Sequence, residues 1–302
     1  MEALFYKALV FLSRRLGPWF FTLVSGGIAA GYFLCCPGRV AIGVRFYQTL
    51  YPHRGRWFAA GCTWRQFRQF TTVFMDRMML PAPEEITYTF DGWEHLTRLL
   101  DQGKGAILLM SHMGNWEVAA HLLGRQRADL RLLLYMGSKE TEAIERLQKV
   151  DLVDSGVRVI AVDRDGRSPF DLVTGRRFIQ EGGVVSMTGD RLWHSDQRSV
   201  PVRFLGHEAL LPEVPHQFAL LSRAPLIAFF ACRRGRGRYH FSFSPPIHVT
   251  APDRAGRADA VARSAQAYAD LLAAAVRRSP FQWYHFQPFL GKRIDGAGKN
   301  GQ

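Results

Sequence analysis

Cysteine and acidic side chains are both scarce in this chain. Four cysteines occur in 302 residues; Cys35 and Cys36 are adjacent, and Cys62 and Cys232 stand alone. Neither a disulfide framework nor a metal-type ligand spacing can be assembled from that pattern, and a reducing compartment fits it. Against 39 Lys and Arg there are only 26 Asp and Glu, a formal net charge of +13. Such an excess favours anionic partners: a phospholipid surface, a phosphorylated carrier or cofactor, or nucleic acid. No G-x-S-x-G elbow and no cysteine in a nucleophile setting is visible, so an attacking nucleophile would have to come with a substrate. There are no internal repeats, and no small-residue cleavage signal marks the N-terminal apolar stretch as a signal peptide.

What the chain does have is organised around residues 104–124, K-G-A-I-L-L-M-S-H-M-G-N-W-E-V-A-A-H-L-L-G. The unbroken apolar run Ala106 to Met110 predicts a buried strand. Met113-Gly114-Asn115 predicts a turn, with Gly114 free to take a strained dihedral. Asn115 is a good N-cap for a helix whose apolar positions are Trp116, Ala119, Ala120 and Leu123. His112 therefore lies where a strand gives way to a helix, a common place for chemistry in parallel sheets. Glu117 lies in the first helical turn. Five positions apart on one helix the two would diverge, but across a tight turn they can meet. The carboxylate would then fix the imidazole tautomer, and the other ring nitrogen would act as a general base. Spacing alone does not separate such a pair from a structural hydrogen bond; the placement at a strand end favours the catalytic reading.

Upstream, Leu16 to Cys36 carries no charge and is long enough to cross a bilayer or nearly so, although Pro18 and its glycines suit a helix lying in the interface equally well, and a buried core helix is the third reading. Pro37 to Leu80 sets Arg39, Arg45, Arg54, Arg56, Arg65, Arg68 and Arg77 against Asp76 alone, interleaved with nine aromatic residues. That pattern predicts helices with one greasy and one cationic face, suited to anionic lipid; many of the aromatics would serve equally in a helical hairpin packed on the body. Downstream, strands at Ile86–Phe90, Leu130–Met136, Val157–Val162, Val184–Thr188 and Leu226–Phe230 alternate with helices at Trp93–Leu100, Glu140–Leu152, Pro169–Gln180, Pro215–Arg223 and Ala258–Arg278. The rhythm predicts an α/β fold, a mostly parallel central sheet flanked by helices, with an N-terminal membrane-associated helical region. Asp196–Gly206 is expected as an extended segment over the site, His207–Pro212 as a loop, Tyr239–Ser244 as an edge hairpin strand, and Pro280–Phe286 as an aromatic segment packed back on the body. The expected organisation is a hydrophobic segment at 1–36, a basic aromatic region at 37–83, an α/β domain at 84–290 and a flexible tail at 291–302. Three strand ends carry polar residues: Ser111-His112, Asp163-Arg164 and Gly189-Asp190-Arg191.

The run from His112 to Glu117 resembles the H-x4-[D/E] block of glycerolipid-type acyltransferases, and is most similar to the late acyltransferases of bacterial lipid A biosynthesis. Val185–Arg191, Val200–Gly206 and Leu220–Phe230 extend the resemblance over most of the chain. The resemblance implies His112 as general base and Glu117 as its orienter. It implies that Arg164, or Arg167 in its place, binds carrier or headgroup phosphate, and that Asp190 and Arg191 line the acceptor side; Asn115 is grouped with the substrate-binding positions. A second acidic residue is expected shortly after Asp190, where Arg191-Leu192-Trp193 stands instead, which points to a branch acting on another lipid or lipid-linked acceptor. The implied reaction moves a fatty acyl group from an acyl thioester, on acyl-carrier protein or coenzyme A, to a lipid hydroxyl. The expected partners are anionic membrane lipid, the lipid acceptor and acyl-carrier protein, with no nucleic acid, metal or resident cofactor. The expected setting is the bacterial inner membrane, with a single N-terminal anchor or interfacial helix and the catalytic domain on the cytoplasmic side. Two rival readings use the same residues: a thioester or lipid hydrolase built on the same pair, and a non-catalytic basic membrane-lipid-binding protein.

Overall fold

Four helices precede the first strand: α1 (Glu2–Leu16), α2 (Pro18–Cys35), α3 (Pro37–Leu50) and α4 (Arg56–Arg77). The computed structural model describes residues 2–77, 86–137, 158–162, 169–194 and 196–294; the helix expected over Glu140–Leu152 lies outside them. Pro18 and Pro37 each stand in the first turn of their helix, where a missing N–H costs nothing. The apolar stretch is thereby cut short. No single described helix is long and apolar enough to cross a membrane; only the pair Trp19–Cys35 and Pro37–Leu50, bent by 91°, has the length and composition together. A single straight span through residues 16–36 is therefore not what forms, because Cys36-Pro37 turns the chain before the helix reaches bilayer length.

The body is a seven-stranded sheet. Its strands are β1 (Thr87–Asp91), β2 (Ala106–Met110), β3 (Leu132–Gly137), β4 (Arg158–Val162), β5 (Val184–Thr188), β8 (Leu226–Gly235) and β9 (Arg238–Phe243), in the order β1-β9-β8-β2-β5-β3-β4. Every neighbouring pair is parallel except β8 with β9. β2 is central and buried along its whole length, which explains its unbroken apolar run: both faces are covered. Ile107 and Leu109 point into one core, with Val185, Ala228, Tyr268 and Leu272. Ala106, Leu108 and Met110 point into the other, with Leu96, Val118 and Leu122. Helices α5 (Trp93–Asp101) and α6 (Trp116–Gln126) cover the second face. Helices α7 (Pro169–Gln180), α8 (Val214–Ser222) and α9 (Arg257–Arg278) cover the first.

Two expectations are corrected. Residues 207–212 are not a loop: β6 (Ser199–Phe204) and β7 (His207–Pro212) form an antiparallel hairpin. Its two-residue turn is Leu205-Gly206, both at positive φ, 50° and 77°. The primed turn that tight hairpins prefer is thus achieved with a leucine in the left-handed region, a signal hard to read from composition. β9 forms the expected hairpin, antiparallel with β8, but it is not the edge strand. β1 pairs with it in parallel and takes the edge, and alternation along β9 reports one covered face, not the number of strand neighbours. Residues 291–294 lie along this hairpin, with Glu208 N donating to Lys292 O at 2.8 Å and Ile294 N to Gly206 O at 2.9 Å.

Candidate active site

β2 and β5 are direct neighbours, so the residues that follow them emerge side by side at the carboxyl edge of the sheet. After β2 comes Ser111-His112; after β5 comes Gly189-Asp190. The two strand ends are tied together by Gly189 N donating to Met110 O at 2.8 Å, and Tyr268 on α9 donates its hydroxyl to the same carbonyl at 2.9 Å. His112 Nδ1 lies 2.8 Å from Asp190 Oδ1. The His112 backbone N–H donates to Asp190 Oδ2 at 2.8 Å, and Trp283 Nε1 donates to that same oxygen at 2.8 Å. Asp190 is fully buried while 22% of the His112 side chain remains exposed. The carboxylate is thus the inner member of the pair and the imidazole the partly exposed one. Burial by itself pushes the Asp190 carboxyl up. The charge and hydrogen bond of His112, with smaller contributions from the charge of His285 and the hydrogen bond of Trp283, more than offset this and hold it well below the usual carboxylate range.

The turn that carries His112 is rigid. Gly114 has φ +72°, and a Cβ there would lie 1.8 Å from the carbonyl oxygen of Ala231, so only glycine fits. Gly114 N donates to Gln282 O at 2.8 Å, Asn115 N to Ala231 O at 3.0 Å, and Tyr284 N to His112 O at 2.8 Å. Asn115 caps α6 as expected, its Oδ1 accepting from Val118 N at 3.3 Å.

A model of the family described as bacterial lipid A biosynthesis acyltransferase matches residues 60–291. The chain belongs to this family. Phosphatidylinositol mannoside acyltransferase of Mycobacterium tuberculosis (strain ATCC 25618 / H37Rv) is 25% identical over 236 residues, 76% of this chain and 66% of that protein. The protein of the same name from Mycolicibacterium smegmatis (strain ATCC 700084 / mc(2)155) is 25% identical over 203 residues, 65% of this chain and 60% of the relative. The chain therefore spans just under two thirds of the length of these relatives.

In this lipid A acyltransferase family member the expected His112–Glu117 pair does not form. Glu117 is 2% exposed and pairs with Arg77 of α4, Nε to Oε1 at 3.2 Å. The reason is the pinned turn: its bonds to Gln282 and Ala231 fix where α6 starts, the first turn of α6 faces α4, and the imidazole turns to the neighbouring strand end. Beside this ion pair, Asp76 accepts from Arg233 Nε at 2.6 Å and Nη2 at 3.2 Å, and from the Tyr239 hydroxyl. Asn115, expected among substrate-binding positions, is 3% exposed; its Nδ2 reaches the Tyr239 hydroxyl and Val73 O, both at 3.4 Å. Asp190, expected on the acceptor side, sits behind the imidazole instead. Arg191 is half-buried and donates to Tyr284 O at 3.4 Å. Arg164 and Arg167 lie outside the described residues.

Sequence reasoning missed Trp283 and His285. The segment 280–286 was expected to pack back, but its wiring into the site was not visible. Trp283 is 2% exposed and stacks on His285, ring centroids 5.0 Å apart, and His285 lies 6.4 Å from His112, ring to ring. Burial lowers the His285 pKa to about 4; the Asp190 carboxylate opposes the shift and the charges of His112 and Arg191 reinforce it. Both rings also line a cavity of about 150 Å³ bounded by Ile42, Phe46, Phe286 and Leu290. Among the described residues, no group of three or more His, Cys, Asp or Glu converges as metal ligands.

Proposed function

We propose that this protein transfers a fatty acyl group from an acyl thioester, on acyl-carrier protein or coenzyme A, to a hydroxyl of a membrane lipid or lipid-linked acceptor. The observation that carries this reading is the His112–Asp190 hydrogen bond, with Asp190 fully buried and the imidazole exposed. A hydrogen-bonded carboxylate on Nδ1 fixes the tautomer that leaves Nε2 free to accept a proton. Nε2 takes the proton of the acceptor hydroxyl as its oxygen bonds to the thioester carbonyl carbon. When the tetrahedral intermediate collapses, the C–S bond breaks and the imidazolium returns the proton to the departing thiolate. The acyl chain ends on the acceptor as an ester, and no electrons change hands. The N–H groups of Gly114 and Asn115 are both committed to carbonyls, so we assign oxyanion stabilisation to Arg191, which follows Asp190 on the same strand end. The acceptor is a lipid or lipid-linked hydroxyl; the names of the mycobacterial relatives make a glycosylated phospholipid the first to test.

The cationic stretch and the exposed apolar residues of α2, Trp19, Leu23 and Leu34 among them, support a membrane-associated protein whose bent helix pair lies in the interface of the inner membrane, with the site on the cytoplasmic side. The test is an assay of membranes for thioester loss and acylated lipid together. Wild type should yield both. His112→Ala should yield neither while keeping its Tm. Thioester loss without an acylated lipid would favour the hydrolase reading.

A further inference from the structure

A second cavity, of about 370 Å³, lies between α2 and α4, away from the His112–Asp190 pair. Its α4 wall presents Arg65 and Arg68, one helical turn apart, with Gln69 beside them; its α2 wall presents Thr22 and Ser25. No acidic residue lines it, and neither arginine has an ion-pair partner among the described residues. Both arginines are exposed. Arg65 also stacks over Phe281 at 4.3 Å, a ring outside the cavity lining. The threonine hydroxyls of the α4 wall donate back to their own helix, Thr71 to Arg68 O at 2.8 Å and Thr72 to Gln69 O at 2.7 Å. The two guanidiniums and the Gln69 side chain remain as donors that can meet an anion. On α2, Trp19 is 61% exposed and Leu23 65% exposed, flanking Thr22. A paired-arginine cradle opening beside an exposed apolar helix face matches one kind of molecule: an anionic headgroup with its hydrocarbon alongside.

We propose that this groove binds the phosphate of an anionic glycerophospholipid of the bilayer, with the acyl chains lying along α2. The inference rests on the reading of α2 as membrane-facing. The groove is linked to the turn that carries His112 through Tyr284, whose hydroxyl donates to Gln69 O at 3.3 Å and whose N–H donates to His112 O at 2.8 Å. The bound lipid would fix the depth at which the site sits over the membrane.

The experiment is co-sedimentation of the full-length chain with phosphatidylglycerol and with phosphatidylcholine vesicles, for wild type, Arg65→Gln/Arg68→Gln, and the exposed control pair Arg254→Gln/Arg257→Gln. The groove variant should bind phosphatidylglycerol vesicles on the order of tenfold more weakly and bind phosphatidylcholine vesicles as wild type does. Equal loss in the control pair, or an unchanged preference in the groove variant, overturns the site. Absence of wild-type binding to either vesicle overturns instead the membrane-facing reading beneath it. Competition separates the sources of phosphate. Displacement from vesicles by short-chain phosphatidylglycerol, and not by equal inorganic phosphate, supports the lipid; displacement by inorganic phosphate alone assigns the groove to a free anion.

Discussion

Two carboxylates near His112 have different partners, and they should separate in mutagenesis. Asp190→Asn keeps the shape but offers an amide to Nδ1, so the imidazole tautomer is no longer fixed. We expect acyl transfer to fall by roughly 100- to 10,000-fold, with little change in acceptor KM. The depressed Asp190 pKa also contributes stability. That contribution is present above the unfolded carboxyl pKa, about 3.9, and is lost as pH falls below it. The Tm gap between wild type and Asp190→Asn should therefore be full at pH 7 and shrink below about pH 4. Glu117→Gln should do the opposite. Removing one partner of a buried ion pair costs about 3–5 kcal/mol, so Tm drops, while the pH profile of the remaining activity keeps its shape. Replacing Arg77 as well, in Glu117→Gln/Arg77→Met, should recover much of the lost stability. A shifted pH profile in Glu117→Gln would return Glu117 to the role of orienter.

Among the elements, the strand-to-helix turn after β2 is the one that tolerates least. Gly114 meets the Ala231 carbonyl with no room for a Cβ. Gly114→Ala combines left-handed strain with backbone overlap and should cost about 3 kcal/mol, read as a lowered denaturation midpoint. Its neighbours make the cost functional too, because the same turn sets the height of His112 above β5. The end of α4 is the second such element. Asp76 and Arg77 each reach a different part of the body, Arg233 on β8 and Glu117 on α6. The basic helix is thereby fastened by its own C-terminal residues to the two elements that frame the site, and Arg233→Leu should loosen α4 first, read as faster hydrogen exchange across α4 than across β2.

For the molecule as a whole, acid should be the weak direction. Burial lowers both His216 and His285 to about 4, whereas in the unfolded chain they titrate near 6.5. Between those values the unfolded chain binds more protons, so stability falls as pH drops from about 6.5 to 4. His216 lies outside the His112–Asp190 pair, held by a 2.8 Å contact between its Nδ1 and Ser264 Oγ. A His216→Gln variant should show a shallower loss of Tm over that window with the activity profile unchanged. An identical slope would mean that His216 is not protonated on unfolding.

The sequence alone determined the alternation of strands and helices, the buried central strand, the capped turn and the histidine at its end. Each of these is written locally: an apolar run too long to alternate, a glycine, an N-cap, a helical repeat. The clustering of polar residues at strand ends was also legible, and it already contained His112 and Asp190. Which of two carboxylates holds the imidazole was decided by the sheet order, which sets β5 beside β2, and no local pattern encodes strand adjacency. Glu117 is the nearer acid along the chain and was claimed by Arg77, 40 positions earlier. Trp283 enters the site from the far end of the chain as an ordinary-looking aromatic, because its indole N–H acquires a role only when the terminal segment folds back over Asp190. The 91° bend between α2 and α3 belongs to both levels. Pro37 announces a break, but its angle follows from how α3 packs on α4 and on the body.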